Sequence, residues 1–172
     1  MSWTPDGRFL LYRASGKTGN DIWVLPTGGK PYAFIATPAQ ENYGRFSPDG
    51  RWVAYTSSES GTDEIYVVPF PGPGGKFQVS SAGGTLPRWR ADGREIFYLA
   101  PDRMVTAVAV DGTTGGFRVG APAGLFRAPV ETLVGYHYAV ARDGQRFLVN
   151  TVGNQPPPTV TIETDWPSLL KK

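Results

Sequence analysis

One turn signal recurs at a nearly constant interval along this chain. Trp3-Thr4-Pro5-Asp6-Gly7-Arg8, Phe46-Ser47-Pro48-Asp49-Gly50-Arg51, Trp89-Arg90-Ala91-Asp92-Gly93-Arg94 and Val140-Ala141-Arg142-Asp143-Gly144-Gln145 are copies of it. Where proline is present it presets φ, the aspartate bonds its own backbone, and the glycine supplies positive φ. The turn glycines Gly7, Gly50, Gly93 and Gly144 stand 43, 43 and 51 residues apart, so the 172 residues hold four periods. A period of about 40–45 residues marks a repeat whose unit is a four-stranded propeller blade.

The residues behind the turns form columns. Leu10, Val53, Ile96 and Phe147 share one position, Leu11, Ala54, Phe97 and Leu148 the next, and Tyr12, Tyr55, Tyr98 and Val149 the one after. Successive residues of a strand point to opposite faces, so these strands are apolar on both. A strand with one wet face alternates instead. Sheets stacked around an axis are covered on both faces, and the chain has no room for the crossover helices of a parallel sheet. Glycine and proline, 22 and 16 residues, suit many turns and no helical protein.

The expected fold is therefore all-β, a β-propeller of about four blades of four antiparallel strands. Blades are expected over about 1–40, 41–82, 83–130 and 131–166, with a tail at 167–172. The last blade ends at a third strand, 160–164, and lacks its outer one. The scrap of inner strand at residues 1–4 cannot supply it, so the blades are expected to belong to a larger ring. The repeat is already under way at Met1, and no charged-then-apolar leader precedes Trp3. A C-terminal portion of a longer protein is expected. The two cut faces then expose apolar columns, and such patches drive association: either a homodimer through the exposed blade faces, making a ring of about eight blades, or a poorly soluble monomer is expected, and four blades closed on themselves are the alternative.

Charge and cysteine content exclude several classes. The net charge is +2 with the charges scattered, which gives no basic stripe for nucleic acid. No apolar run approaches the ~18 residues of a membrane span. The absence of cysteine rules out disulfides, thiolate metal sites and cysteine nucleophiles.

Candidate chemistry is sparse. Arg45 and Arg88 occupy equivalent positions on inner strands near the predicted axis, where guanidinium groups can receive a carboxylate or phosphate bidentately; pairing with acids of neighbouring blades is the competing role. With Tyr136 and His137 they make the candidate ligand-binding set. His137 is the only histidine, and a structural bond to a neighbouring carbonyl explains it without any catalytic partner. Asp6, Asp49, Asp92 and Asp143 form a row of carboxylates. Repeat symmetry spreads them around a rim rather than placing two across a substrate at the roughly 5–9 Å that glycosidases use. Their expected work is capping of the turns they share with Gly7, Gly50, Gly93 and Gly144. Asp63 and Glu64 beside Gly61 lack the oxygen pattern of a calcium loop and are expected to be solvated hairpin charges. The Gly-Gly pairs precede no helix with Lys-Ser or Lys-Thr, and Ser57-Ser58 and Ser80-Ser81 lack a nucleophile elbow. No catalytic residue, metal site or cofactor is expected.

The Ser47-Pro48-Asp49-Gly50-Arg51 turn with Trp52-Val53-Ala54-Tyr55-Thr56-Ser57 and Gly61-Thr62-Asp63-Glu64-Ile65-Tyr66-Val67 resembles the TolB-type propeller repeat, a relative of the WD repeat. Trp3 to Arg8 with Asp21-Ile22-Trp23-Val24 matches it as well. Copy three departs by placing Ala91 at the proline and shortening its hairpin to Pro101-Asp102-Arg103. Copy four departs by its Gln155-Pro156-Pro157-Pro158 hairpin, and the closing Val160 to Trp166 resembles the last strand of the kinase-associated version. The resemblance implies a non-catalytic protein-interaction or ligand-sensing module with a protein or peptide ligand. The parent it implies is a bacterial membrane-anchored serine/threonine kinase, with the propeller outside the cytoplasm or in the periplasm. The alternative is the gating propeller of a serine peptidase, or a propeller glycosidase or lyase. Recognition is expected on the loops at 15–20, 58–63, 101–103 and 153–158, with the interblade turns at 37–40, 82–85 and 129–133 on the same rim.

Overall fold

A computed structural model describes residues 1–16, 18–72, 74–113, 116–130 and 138–150. Among them are fourteen strands and no helix. Sheet one holds β1 (Ser2–Trp3), β2 (Phe9–Ser15), β3 (Asn20–Pro26) and β4 (Tyr32–Ile35). Sheet two holds β5 (Glu41–Phe46), β6 (Trp52–Ser57), β7 (Glu64–Pro69) and β8 (Phe77–Gln78). Sheet three holds β9 (Thr85–Trp89), β10 (Glu95–Leu99), β11 (Met104–Asp111) and β12 (Arg118–Arg127), and sheet four β13 (Tyr138–Val140) and β14 (Phe147–Val149). Within each sheet the strands are neighbours in chain order, and every pair is antiparallel. The expected third strand of the last blade and the C-terminal tail lie outside the described residues.

The repeated turn folds the same way in sheets one and two. In sheet two the Ser47 hydroxyl donates to Asp49 Oδ1 at 2.6 Å and accepts from the Trp52 N–H at 3.0 Å, while the Arg51 N–H donates to the same carboxylate. Gly50, at φ 72°, donates its N–H to the Ser47 carbonyl. Thr4, Asp6, Arg8 and Phe9 repeat this network at 2.6 to 3.1 Å. Sheet three lacks the hydroxyl. There Arg90 takes its place and reaches Glu95 at 2.9 Å and Asp92 at 3.4 Å.

The sheets stack face on face, and the columns sort by face. Leu11, Ile22 and Val24 of sheet one meet Phe46, Val53, Tyr55 and Tyr66 of sheet two. Ala54, Ile65 and Val67 on the other side of sheet two meet Ile96, Tyr98, Val108 and Val110 of sheet three. Phe97, Leu99, Val105 and Ala107 in turn meet Tyr138, with Val140, Phe147 and Val149 packed alongside. Each central sheet is thus buried on a backward face toward the preceding sheet and a forward face toward the next. No hydrophobic cluster of described residues joins sheet four to sheet one. Leu148, on the forward side of sheet four, is 76% exposed, and Trp3, on the backward side of sheet one, 57%.

One expectation fails. Glu64 is buried rather than solvated. Its carboxylate accepts from the Ser80 hydroxyl and, at 2.9 Å, from the Gly83 N–H, so it ties the start of β7 to the connection between sheets two and three. Buried Glu41 does similar work one sheet earlier, accepting from the Thr37 hydroxyl at 2.5 Å.

Candidate functional site

The two ends of the stack differ. One carries the Asp-Gly turns. The other carries the hairpin loops between second and third strands and the interblade connections, which bind one another: the Ser58 N–H donates to the Gln40 carbonyl at 3.2 Å, and the Gly84 N–H to the Asp63 carbonyl at 2.7 Å. Arg45 and Arg88 sit near the turn end of β5 and β9. The structure therefore separates the arginines from the described loops on which recognition was expected, at 18–20, 58–63 and 101–103; residues 131–133 and the loop at 153–158 lie outside the described residues.

At the turn end the inner strands enclose a funnel of about 620 Å³. Trp3, Phe46, Trp89 and Leu148 give it apolar walls, and Arg45, Arg88 and Tyr138 are its ionisable side chains among the described residues. Arg45 Nη1 donates to the Met1 carbonyl. The Trp89 indole donates to the Arg45 carbonyl at 3.1 Å. Arg88 donates to the Pro87 carbonyl at 2.9 Å, and its guanidinium lies 5.4 Å from the centre of the Tyr138 ring, a cation–π distance. Tyr136 and His137 lie outside the described residues.

The electrostatics follow from this placement. The Met1 ammonium is pushed below its ordinary value first by burial, then by repulsion from Arg45, Arg88 and Arg13. The Tyr138 phenol is raised by burial, against the opposing pull of Arg88 and Arg45, and donates to the Leu86 carbonyl at 2.8 Å. Arginine stays protonated at any physiological pH. The raised Tyr138 phenol is not poised to exchange a proton near neutrality. The funnel can hold an anion between cations and apolar walls.

Two features here had no signature in the sequence. Tyr43 and Leu86 adopt left-handed backbone, at φ 56° and 61°, which non-glycine residues rarely do. Each lies where the inner strand shifts register against its neighbour. Tyrosine and leucine announce no such turn, whereas an asparagine would have. The other is Tyr138, whose role depends on a carbonyl 52 residues away in sequence.

The sheet order, the stacked faces and the central funnel define a partial β-propeller. Solved structures with this architecture include TolB from Acinetobacter baumannii, at 19% identity over 89% of this chain and 37% of that one, with a TM-score of 0.64. The β-propeller domain of Myceliophteria thermophila Cps50 (Swd1) is similar at 12% identity over 87% and 64%, TM-score 0.57. A Bacteroides uniformis protein provisionally named a 6-phosphogluconolactonase is similar at 15% identity over 87% and 46%, TM-score 0.56. The fold is TolB-like and WD-like, and the chain spans less than two thirds of each of these structures. No family model and no curated protein matches the sequence.

Proposed function

We propose that this chain is a non-catalytic recognition module that binds an acidic peptide or protein segment at the turn-end funnel. The observation that carries the reading is the pairing of Arg45 and Arg88 with Trp3, Phe46 and Trp89 in one cavity. Guanidinium groups take carboxylates with charge-assisted hydrogen bonds, and aromatic walls cover the peptide's apolar part. In this reading the module is the sensing part of a longer bacterial protein, such as a receptor-like serine/threonine kinase, placed outside the cytoplasm.

The test is a titration followed by tryptophan fluorescence, since Trp3 and Trp89 line the funnel. Acetyl-Asp-Phe-Glu-amide should bind at least about tenfold more tightly than acetyl-Asn-Phe-Gln-amide, and Arg45→Ala with Arg88→Ala should abolish the preference. Equal binding of the two peptides, or a preference that survives the double substitution, overturns the reading.

A catalytic alternative draws on the Bacteroides uniformis neighbour and its provisional name. Turnover of a sugar lactone, a glycoside or a peptide by the purified chain, lost with Arg45→Ala plus Arg88→Ala, would favour it.

We also propose that a second copy covers the open faces. The joint between a forward and a backward face recurs three times within the chain. The backward face of sheet one and the forward face of sheet four are two halves of the same kind of joint. Light scattering should give twice the chain mass of 18.6 kDa, and Leu148→Glu should halve it. A compact monomer of the unaltered chain refutes the association.

A further inference from the structure

We propose that the loop-end cavity between sheets two and three binds the side-chain ammonium of a lysine on a partner protein, with Asp63 and Thr85 as its acceptors. The site lies at the end of the stack opposite the funnel and does not rest on the recognition reading above.

The cavity, of about 340 Å³, is formed by Thr62, Asp63 and Glu64 of the β6–β7 hairpin, by the connection from Ser81 to Thr85, and by Leu99 and Pro101 at the β10–β11 hairpin. Its walls are tied together. The Gly84 N–H donates to the Asp63 carbonyl at 2.7 Å, and the Gly83 N–H to the Glu64 carboxylate at 2.9 Å. Gly83 also approaches the third hairpin so closely that an added Cβ would lie 2.4 Å from Pro101 Cγ.

The repeat explains why this space is open. At an offset of 43 residues, Gly19, Asn20 and Gln40 of the joint between sheets one and two correspond to Thr62, Asp63 and Gly83. In that joint the Gln40 side chain bridges connection and hairpin. Its Oε1 accepts from the Asn20 N–H at 3.0 Å, and its Nε2 lies 2.6 Å from the place a Cβ on Gly19 would take. Glycine at position 83 supplies no such plug.

The chemistry of the opening selects a cation. Asp63 and Glu64 are the only charged residues that line it among the described residues. Both Glu64 oxygens are engaged, one by the Gly83 N–H and the other by the Ser80 hydroxyl. The Asp63 carboxylate makes no hydrogen bond or ion pair with any described residue. Burial and then Glu64 raise its carboxyl above 3.8, a penalty that an adjacent cation offsets.

Thr85 is a second, independent pointer. It stands opposite Leu99 in the β9–β10 ladder and lines the cavity with it. It is 5% exposed, yet its hydroxyl has no hydrogen-bond partner among the described residues, a state that buried polar groups rarely keep. Ala82, Leu99 and Pro101 give apolar walls to a lysine stem, which packs on such surface while its head keeps polar partners. A calcium ion needs about six to eight oxygen ligands, and Glu64 has none to spare.

The experiment follows the backbone amides of the ¹⁵N-labelled chain by NMR as acetyl-lysine-methylamide is added. Acetyl-norleucine-methylamide, which has the stem without the ammonium, is the control. The lysine compound should shift the Gly83, Gly84 and Thr85 amides and bind at least about tenfold more tightly than the control. Asp63→Asn removes the charge and Thr85→Val the hydroxyl, each with little change of shape. The first should weaken binding at least about tenfold and the second at least about threefold. Unshifted amides in sheet one report that both variants keep the fold, and if valine disturbs it, Thr85→Ala replaces it. Arg45→Ala with Arg88→Ala should leave the lysine compound's affinity unchanged, so that this site and the funnel are judged apart. Absence of shifts at 83–85, equal affinity for the two compounds, or binding indifferent to either cavity substitution overturns the proposal. Calcium chloride that shifts the same amides and displaces the lysine compound assigns the cavity to a metal ion and overturns it as well.

Discussion

Sheets one and two share a turn, a column pattern and a strand order, yet they are buried differently. Val53 and Tyr55, on the backward face of sheet two, are 0% and 2% exposed. Their counterparts Leu10 and Tyr12 in sheet one are only half-buried, as is Trp23. The Trp23 indole N–H also has no acceptor among the described residues. The difference lies in what faces them. Local signals shape a blade from its own sequence, but the worth of its apolar column is set by the sheet on the other side.

The largest expected effect tests that point directly. Ile96 and Leu10 occupy the same column, and Ile96 is fully buried between sheets two and three. Ile96→Ala should cost about 2–5 kcal/mol, the range for deleting a buried aliphatic side chain and leaving a cavity. Leu10→Ala should cost under about 1.5 kcal/mol, since a half-exposed side chain loses less transfer energy and leaves no closed cavity. Urea unfolding of both variants at low protein concentration makes the measurement. Equal costs would mean that sheet one is covered on its backward face in solution, and a Leu10→Ala cost that grows with protein concentration would identify a second copy as the cover.

The turns should behave in the opposite way, alike in the two sheets. Ser47→Ala removes a donor to Asp49 and the acceptor of the Trp52 N–H. Thr4→Val removes the matching pair at Asp6 and Phe9. Both hydroxyl residues are buried, so each loss should cost about 1–2 kcal/mol and the two should agree within about 0.5 kcal/mol. Thermal unfolding monitored by circular dichroism checks it. A clear inequality would show that the open face of sheet one loosens its turn as well.

This contrast also explains what could be foreseen. Proline, aspartate and glycine at a tight turn act within six residues, and a column of β-formers follows the strand period, so the sheets and their two-sided burial were legible. Arg45 and Arg88 were placed on inner strands for the same reason. Their surroundings were not legible, because the Met1 carbonyl that Arg45 meets and the Tyr138 ring beside Arg88 come from other sheets. Glu64 misled because a charged residue beside Gly61 and Asp63 looks like hairpin surface. Its burial is decided by Ser80 and Gly83, which approach only when the next connection folds over it.

The smallest effect separates the two ends of sheet two by pH. At the turn end, burial pushes the Asp49 carboxyl up, but hydrogen bonds from Ser47 and Arg51 outweigh it and leave it below the ordinary 3.8. The Thr4 hydroxyl and the Arg8 N–H lower Asp6 in the same way. Groups lowered in the folded state add stability that is complete above the unfolded value and drains as pH falls through the folded one. At the loop end, burial and then the nearby Glu64 raise Asp63 above 3.8. Its charged form is the disfavoured one, so its penalty is absent below 3.8 and grows as pH rises through the folded value. Asp63→Asn should therefore raise the melting temperature at pH 6 and leave it unchanged at pH 2.5, whereas Asp49→Asn should lower it at pH 6 and converge with the unaltered chain in acid. Melting curves across pH 2.5–6 measure both, and parallel profiles for the two variants would remove the distinction between the turn end, where hydrogen bonds favour the carboxylate, and the loop end, where burial disfavours it.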